Sequence, residues 1–290
     1  MRRRRLLTLS AIGLASLAGC ASSEEPAGED TPAPTRTETP TRTPTDTPTQ
    51  TQTESGEPSF EVEIDAPAEV EIGESYTVEF IVRNTGTAAG TYESAVYNRF
   101  AGEDYAELDT ISAEIDPGEE VVWDIADISI NLITTEYFYV ENGDVEAEIN
   151  AVSRKLEFGD GYTTLDDIVL FVFRLEFQDS YTWNSGDREY EEPAPDGEKW
   201  AFLSVEVVNE SGGPARIPLA RDFSLIANSR QYDDEYVRKS GQYEGGEVQA
   251  GIRRTGWIAY SVPSELTKDE IRAVWSEEYS DGQAVVYWEP

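Results

Sequence analysis

The chain has 290 residues, of which 58 are acidic and 22 basic, giving a formal net charge of −36. It contains no histidine, one cysteine and one methionine, while aromatic residues make up 11%. This balance argues against nucleic-acid binding, because neutralising phosphates requires a basic face. The length accommodates two ordinary domains, and the aromatic content is sufficient for apolar cores.

The acid excess comes with few lysines, and most of the basic residues are arginines. This combination is typical of proteins adapted to molar salt, as in extremely halophilic archaea. At 1 M salt the Debye length is about 3 Å, so repulsion between surface carboxylates is largely screened. The charge then serves solubility. An acidic patch for a basic partner or for cations is the alternative.

The sequence lacks the residues that several classes of catalytic and metal sites require. Without histidine there is no Ser-His-Asp or Cys-His constellation. Because Cys20 is the single cysteine, zinc, blue-copper, haem and iron–sulfur sites lack their usual ligands. The sequence therefore predicts no catalytic residue, no metal site and no cofactor. Two acidic clusters, at 233–235 and at Asp160, Asp166 and Asp167, are predicted to be solvated surface, with calcium chelation as the alternative.

The N-terminus has the pattern of an export signal. Four arginines at 2–5 precede an apolar and small-residue stretch over 8–18, which is too short to span a bilayer as a helix. The motif Leu17-Ala18-Gly19-Cys20 resembles the lipobox of prokaryotic lipoproteins. That resemblance implies a signal peptide over 1–19 and diacylglycerol attachment to Cys20. It also implies a lipid anchor in the outer face of the cytoplasmic membrane. A plain secretory peptide is the alternative.

The export route has two candidates. The segment 3–7, which contains Arg3, Arg4, Leu6 and Leu7, resembles the twin-arginine export motif. That resemblance implies that the protein folds before transport. The general secretory route remains open.

Residues 20–57 are predicted to be a disordered stalk. Threonine occupies every odd position from 31 to 53 except 33, with prolines interspersed. Such a tract buries too little apolar surface to offset the entropy of folding. We interpret it as a spacer, with a specific recognition tract as the alternative.

The region 58–152 is predicted to be a β-sandwich. Phe60, Val62 and Ile64 alternate with acidic residues, and the same period recurs over 76–82. The motifs VEFIVRNTG at 78–86 and IDPGEEVV at 115–122 resemble the cell-adhesion-related (CARDB) immunoglobulin-like domains of prokaryotic surface proteins. Asn84 is expected to supply turn geometry.

The region 153–290 is predicted to be a second β-sandwich. Residues 168–177 are almost continuously apolar, and WAFLSVEVV at 200–208 is the clearest strand, ending at Asn209. The motifs DGEKW, DFSLI and GWIAYSVP resemble the telokin-like immunoglobulin-fold domains of exported lipoproteins. That family has no agreed activity, so no catalytic residue follows from the resemblance.

Two features of this second region are candidate sites. Asn209-Glu210-Ser211 is an N-glycosylation sequon. The residues 178–198 form a polar excursion in which Tyr181 and Trp183 lie in a predicted loop. Either these rings stack on a sugar or a partner, or they fold back onto the sandwich edge.

The sequence thus predicts an all-β chain, with two immunoglobulin-like β-sandwich domains in tandem after a signal peptide and a disordered Thr/Pro-rich stalk. The expected function is non-catalytic: presenting both modules at the cell surface for binding or adhesion. The expected partners are the membrane, through the lipid, and an unidentified surface-layer, glycan or protein component. The alternative is a structural spacer or assembly subunit of an envelope complex.

Overall fold

The computed structural model describes residues 56–290. Several predicted features lie outside the described residues. These are the signal peptide, Cys20, nearly all of the stalk, and the twin-arginine-like residues Arg3, Arg4, Leu6 and Leu7. Across 56–290 the chain forms strands and two single-turn 3-10 helices, Ala220–Asp222 and Lys268–Glu270. This part of the chain contains no helix long and apolar enough to cross a membrane. The prediction of an all-β, sandwich-type fold is confirmed.

The first eight strands make two sheets, which we call the first module. Their bounds are β1 Phe60–Asp65, β2 Glu69–Glu71, β3 Ser75–Asn84, β4 Gly90–Phe100, β5 Ala106–Ile115, β6 Glu120–Ser129, β7 Thr135–Val140 and β8 Val145–Val152. One sheet has the order β1-β3-β6 and the other the order β2-β8-β7-β4-β5. All neighbours are antiparallel except β2 and β8, which are parallel.

The remaining strands make the second module. Their bounds are β9 Arg154–Glu157, β10 Gly161–Thr163, β11 Ile168–Gln178, β12 Ser180–Ser185, β13 Arg188–Pro193, β14 Glu198–Asn209, β15 Ala215–Ile217, β16 Phe223–Ala227, β17 Arg230–Tyr232, β18 Gly246–Val248, β19 Arg253–Pro263, β20 Arg272–Tyr279 and β21 Gly282–Glu289. The two main sheets have the orders β10-β11-β14-β19 and β17-β16-β20-β21-β9, and β12-β13 and β15-β18 are two-stranded.

The period-two alternation of apolar residues shows which face of a strand lies in the core. On β3, Tyr76, Val78, Phe80 and Val82 are buried while the residues between them are more exposed, since successive side chains point to opposite faces of a sheet. Phe80 meets Phe138 of the facing sheet edge-on, with ring centroids 6.2 Å apart. Such rings dominate core stability, because each buries a large apolar area.

The polar segment 178–198 is not a loop as predicted. Most of it forms the β12–β13 hairpin, in which Trp183 lies directly opposite Tyr190. Their rings stack at 4.5 Å between centroids and 14° between planes. Cross-strand aromatic pairs of this kind stabilise a hairpin, and Gly186 at φ 61° closes its turn. Because the segment is mostly polar, its sequence did not indicate this cross-strand pair.

The two modules repeat one topology. The pairings β1-β3-β6 of the first module correspond to β11-β14-β19 of the second. The run β5-β4-β7-β8 likewise corresponds to β17-β16-β20-β21. Each module therefore folds one chain path into two facing sheets, and the β12–β13 hairpin is an insertion into the second.

Several contacts join the modules. Arg154 forms ion pairs with Glu71 at 3.5 Å and Glu74 at 2.5 Å. The backbone N–H of Ile133 donates to the carbonyl of Gln283 at 2.8 Å. These contacts restrain the second module against the first.

Candidate functional site

The outward face of the five-stranded sheet in the first module carries four tyrosines and one arginine. We call Tyr97, Arg99, Tyr105, Tyr137 and Tyr139 the tyrosine face. Tyr97 and Arg99 lie on β4 and Tyr137 and Tyr139 on β7, while Tyr105 immediately precedes β5. The residues that alternate with them on β4 and β7 point inward and are buried, which leaves the aromatic side chains on the outer surface.

Register brings these residues together. Tyr97 lies directly opposite Tyr139, and Arg99 lies directly opposite Tyr137. The Tyr97 and Tyr139 ring centroids are 6.3 Å apart, and those of Tyr105 and Tyr139 are 5.6 Å apart. The tyrosine face is therefore a continuous aromatic surface built across two neighbouring strands and one loop.

The arginine is held within the rings. The guanidinium carbon of Arg99 lies 3.8 Å from the Tyr137 ring centroid and 4.9 Å from that of Tyr105. A guanidinium over an aromatic face is attracted by the ring quadrupole. A hydrogen bond with Tyr105 raises the pKa of Arg99 above its already high usual value. The face therefore carries a fixed positive charge at its centre.

Carboxylates border the tyrosine face. Tyr105 donates a hydrogen bond to Glu146, and Tyr139 donates to Asp144 at 3.3 Å. Desolvation is the main cause that raises the pKa values of Tyr97, Tyr105 and Tyr139, and the neighbouring carboxylates act in the same direction. The phenols are therefore neutral at ordinary pH, and each presents a ring together with a hydroxyl that can donate or accept.

Sequence reasoning missed this surface. The alternation Tyr137-Phe138-Tyr139 was a usable signal, since it places two tyrosines on the face opposite a buried phenylalanine. Their partners on β4, however, lie about forty residues earlier in the chain. Only the observed register shows which pairs meet.

The candidate glycosylation site Asn209 lies in an environment that does not favour a glycan. Asn209 is fully buried. Its Nδ2, the atom that would carry the glycan, donates to the carbonyls of Gly213 at 2.9 Å and Val248 at 3.2 Å. Its Oδ1 accepts from the backbone N–H of Ser211 at 3.0 Å. A glycan would replace one Nδ2 hydrogen and so remove one of these two donated bonds in a fully buried corner, so in the folded chain Asn209 acts as a structural residue.

Asn84 has the same structural role, which confirms its expected turn function. It too is fully buried, and its Nδ2 donates to the carbonyls of Ala88 and Ile115, both at 2.8 Å. Its Oδ1 accepts from the backbone N–H of Gly86 at 2.9 Å. Both asparagines therefore close the end of the central strand of their module.

Tyr181 is not a ligand-contact residue on a loop. It is 5% exposed, and its ring meets Trp200 edge-on at 5.4 Å and Phe202 at 6.1 Å. Trp183 is partly buried against the same cluster, with the guanidinium of Arg238 4.8 Å from its ring centroid. The rings fold back onto the sandwich because the hairpin covers the outer face of β14, and this aromatic cluster accounts for both of them.

A concave feature lies in the second module. This acid-lined cleft of about 650 Å³ is bordered by Asp166, Asp222, Glu277 and Glu278, with Arg216 among them. Burial raises the pKa of Glu277, opposed by a hydrogen bond from Tyr279. Within residues 56–290, no three acidic side chains converge closely enough to hold a metal ion. Of the acids singled out in the sequence, Asp166 joins this cleft, whereas the carboxylate of Asp160 accepts from the backbone N–H of Glu157.

Comparisons with known proteins add little. No protein-family model matches the chain, and no curated protein matches it. Among solved structures, a candidate lipoprotein of Bacillus subtilis is similar at 14% identity and TM-score 0.33, over 45% of this chain and 38% of that one. An uncharacterised β-sandwich protein of Clostridium difficile is similar at 11% identity and TM-score 0.30, over 47% and 94%.

A β-glucosidase of Listeria innocua is similar at 16% identity and TM-score 0.28, over 32% of this chain and 16% of that enzyme. The chain thus spans well under half of the β-glucosidase and of the candidate lipoprotein. At these scores the likenesses carry no argument about activity, ligand or partner.

Proposed function

We propose that this protein is a non-catalytic cell-surface lipoprotein that binds a component of the cell envelope through the tyrosine face of its first module. The observation that carries the proposal is the cross-strand array in which Tyr97 faces Tyr139 and Arg99 faces Tyr137. On a chain with 58 acidic residues, a continuous outward surface of rings is an unusual use of a sheet face.

The chemistry of the tyrosine face suits recognition. Tyrosine and arginine are enriched at the centres of protein interfaces, whereas glutamate and lysine are depleted there. A tyrosine offers a large rigid ring and one hydroxyl at low entropic cost. Because the rings already contact each other and Arg99, little side-chain freedom remains to be lost on binding.

High salt favours this mode of binding over charge attraction. At 1 M salt the Debye length is about 3 Å, so steering between exposed charges is largely lost. Burial of apolar ring surface does not depend on unscreened charge, and excluded salts strengthen it. In the saline surroundings that the composition indicates, an aromatic surface is therefore the more effective contact.

The N-terminal region completes the proposal. A lipid on Cys20 followed by a Thr/Pro-rich stalk would hold both modules at the outer face of the membrane with freedom to reach a partner. The runner-up is a structural spacer or an assembly subunit of an envelope complex, neither of which requires the tyrosine face to bind a ligand.

A sedimentation experiment separates these functions. The full chain carrying Cys20→Ser, so that lipid cannot hold it to membranes, is mixed in molar KCl with purified cell envelopes of its source. The bound fraction is measured against envelope concentration. We expect saturable binding, and at least a tenfold loss of affinity in the double variant Tyr97→Ser/Tyr139→Ser, equivalent to about 1.4 kcal/mol.

Two controls accompany this test. Tyr236→Ser changes a tyrosine that is 84% exposed on the second module and should leave binding unchanged. Circular dichroism and the thermal midpoint should show that the double variant is folded. Equal binding by the folded double variant would contradict the proposal and favour the spacer function.

A further inference from the structure

A second concave site lies where the two modules meet. This junction cleft has a volume of about 360 Å³ and is lined from the first module by residues that include Ser129 and Asn131, and from the second by residues that include Arg154, Tyr162 and Thr164. Small-molecule sites in proteins occur preferentially at such interfaces between domains. This cleft is distinct from the tyrosine face.

Tyr162 supplies the key observation. Its side chain is 4% exposed, and its hydroxyl has no hydrogen-bond partner among residues 56–290. Buried polar atoms in folded proteins are nearly always hydrogen-bonded, so an unpaired one needs an explanation. The hydroxyl belongs to a residue that lines the junction cleft, where a ligand would provide the partner.

Packing holds the Tyr162 ring in place. The ring centroid lies 5.9 Å from that of Trp275, and a Cβ added at Gly73 would lie 3.3 Å from the ring edge. Gly73 has φ 77°, a backbone conformation that favours glycine. The ring is therefore confined between the two modules.

A second hydroxyl lies two residues away. Thr164 is 6% exposed, and its Oγ1 accepts from the backbone N–H groups of Asp166 at 3.3 Å and Ile168 at 3.2 Å. With its lone pairs engaged, the hydroxyl still has a proton to donate. Asn131, a half-buried residue of the first module that also lines the cleft, adds a carboxamide that can both donate and accept.

The charges of the cleft select against an ionic ligand. The one cation at its wall, Arg154, is already paired with Glu71 and Glu74 at 3.5 and 2.5 Å. Asp167 lies at the exposed rim. The interior thus presents mainly neutral groups that donate and accept hydrogen bonds, which match a neutral polyol rather than an anion or a cation.

We propose that the junction cleft binds a neutral, hydroxyl-rich small molecule about the size of one sugar residue, through the hydroxyls of Tyr162 and Thr164 and the carboxamide of Asn131. A ligand there contacts both modules at once, so its binding also fixes their relative position.

Titration calorimetry on the full chain in molar KCl tests this site, with glucose, galactose, mannose and N-acetylglucosamine as the probes. We expect at least one sugar to bind with a stoichiometry of one. Tyr162→Phe should weaken that sugar at least tenfold while leaving the thermal midpoint of the sugar-free protein unchanged or higher, since it removes an unpaired buried hydroxyl.

Two further variants keep the test decisive. Asn131→Ala should also weaken the sugar, which covers the case in which Tyr162→Phe folds poorly. Tyr92→Phe removes a hydroxyl that donates to Asn142 outside the cleft, so it should lower the thermal midpoint but leave sugar affinity unchanged. The proposal is overturned if none of the four sugars binds, which would leave a cleft that holds only water. It is also overturned if Tyr162→Phe and Asn131→Ala both bind as tightly as the unaltered chain.

Discussion

Asn84 and Asn209 occupy equivalent corners of the two modules. Each ends the central strand of its module, and its Nδ2 donates to the carbonyl four residues later and to a carbonyl at the end of a distant strand. Each Oδ1 accepts from the backbone N–H two residues later. The two modules therefore share a corner built on one asparagine as well as a strand order.

Replacing either asparagine by alanine should destabilise the fold. The change removes at least three hydrogen bonds from a buried corner, so we expect a loss of about 2–4 kcal/mol in the free energy of unfolding. Urea denaturation of Asn84→Ala and Asn209→Ala measures it. The exposed Asn150 is the matched control, and Asn150→Ala should stay within about 0.5 kcal/mol. A loss below 1 kcal/mol at both corners would show that the carboxamides are dispensable.

Asn209 should carry no glycan in the folded protein, despite its sequon. Both hydrogens of Nδ2 are directed to backbone carbonyls inside the module. Mass spectrometry of the peptide containing Asn209, from protein purified from its source, should find the unmodified mass. Substantial occupancy by a sugar would mean that this corner opens or forms differently from the structure.

The stability of the fold should depend on the hydrogen bonds that the buried carboxyl of Glu136 accepts. Glu136 is fully buried, and it accepts hydrogen bonds from the Tyr76 hydroxyl at 2.5 Å and from Asn98 Nδ2 at 2.7 Å. Removing one donor by Tyr76→Phe should cost about 1–3 kcal/mol of unfolding free energy. Tyr287→Phe, which removes the hydroxyl of a half-buried surface tyrosine, provides the comparison and should cost less than about 0.5 kcal/mol. If the two variants are equally stable, the Glu136 network contributes nothing.

Alkaline pH should weaken the fold through Tyr162. Burial raises the pKa of its hydroxyl to about 12, whereas the pKa in the unfolded chain is about 10. The stabilisation is complete below pH 10. It is lost as the pH rises towards 12, because the unfolded chain releases the proton while the folded chain keeps it. Over this window the free energy of unfolding should fall by about 2–3 kcal/mol from Tyr162 alone.

Comparison with Tyr162→Phe isolates that contribution from the other buried tyrosines. Urea denaturation at pH 9, 11 and 12 should show a shallower decline for the variant. Parallel declines of the variant and the unaltered chain would place the Tyr162 pKa near 10 and contradict its burial.

The strands could be predicted where one face is buried, because alternation such as Tyr76, Val78, Phe80 and Val82 follows from the geometry of a sheet. The β12–β13 hairpin could not. Its aromatic residues, Tyr181, Trp183 and Tyr190, are set among polar residues and pack through a cross-strand pair and against β14.

The sites were harder to predict for a related reason. Tyr97 meets Tyr139 through strand register, and Tyr162 and Asn131 line the same cleft through module packing, neither of which a single sequence specifies. Asn209 misled because a sequon records three residues and not whether the amide is buried. The equivalent asparagine in the first module, Asn84, was interpreted correctly because the strand end itself indicated a turn.

The most direct test of the account is radical footprinting of tyrosine oxidation on the Cys20→Ser chain, free and bound to purified envelopes in molar KCl. We predict that Tyr97, Tyr105, Tyr137 and Tyr139 become protected on binding while Tyr236 does not. If the chain is bound and these four tyrosines oxidise as fast as in the free protein, the tyrosine face is not the contact surface.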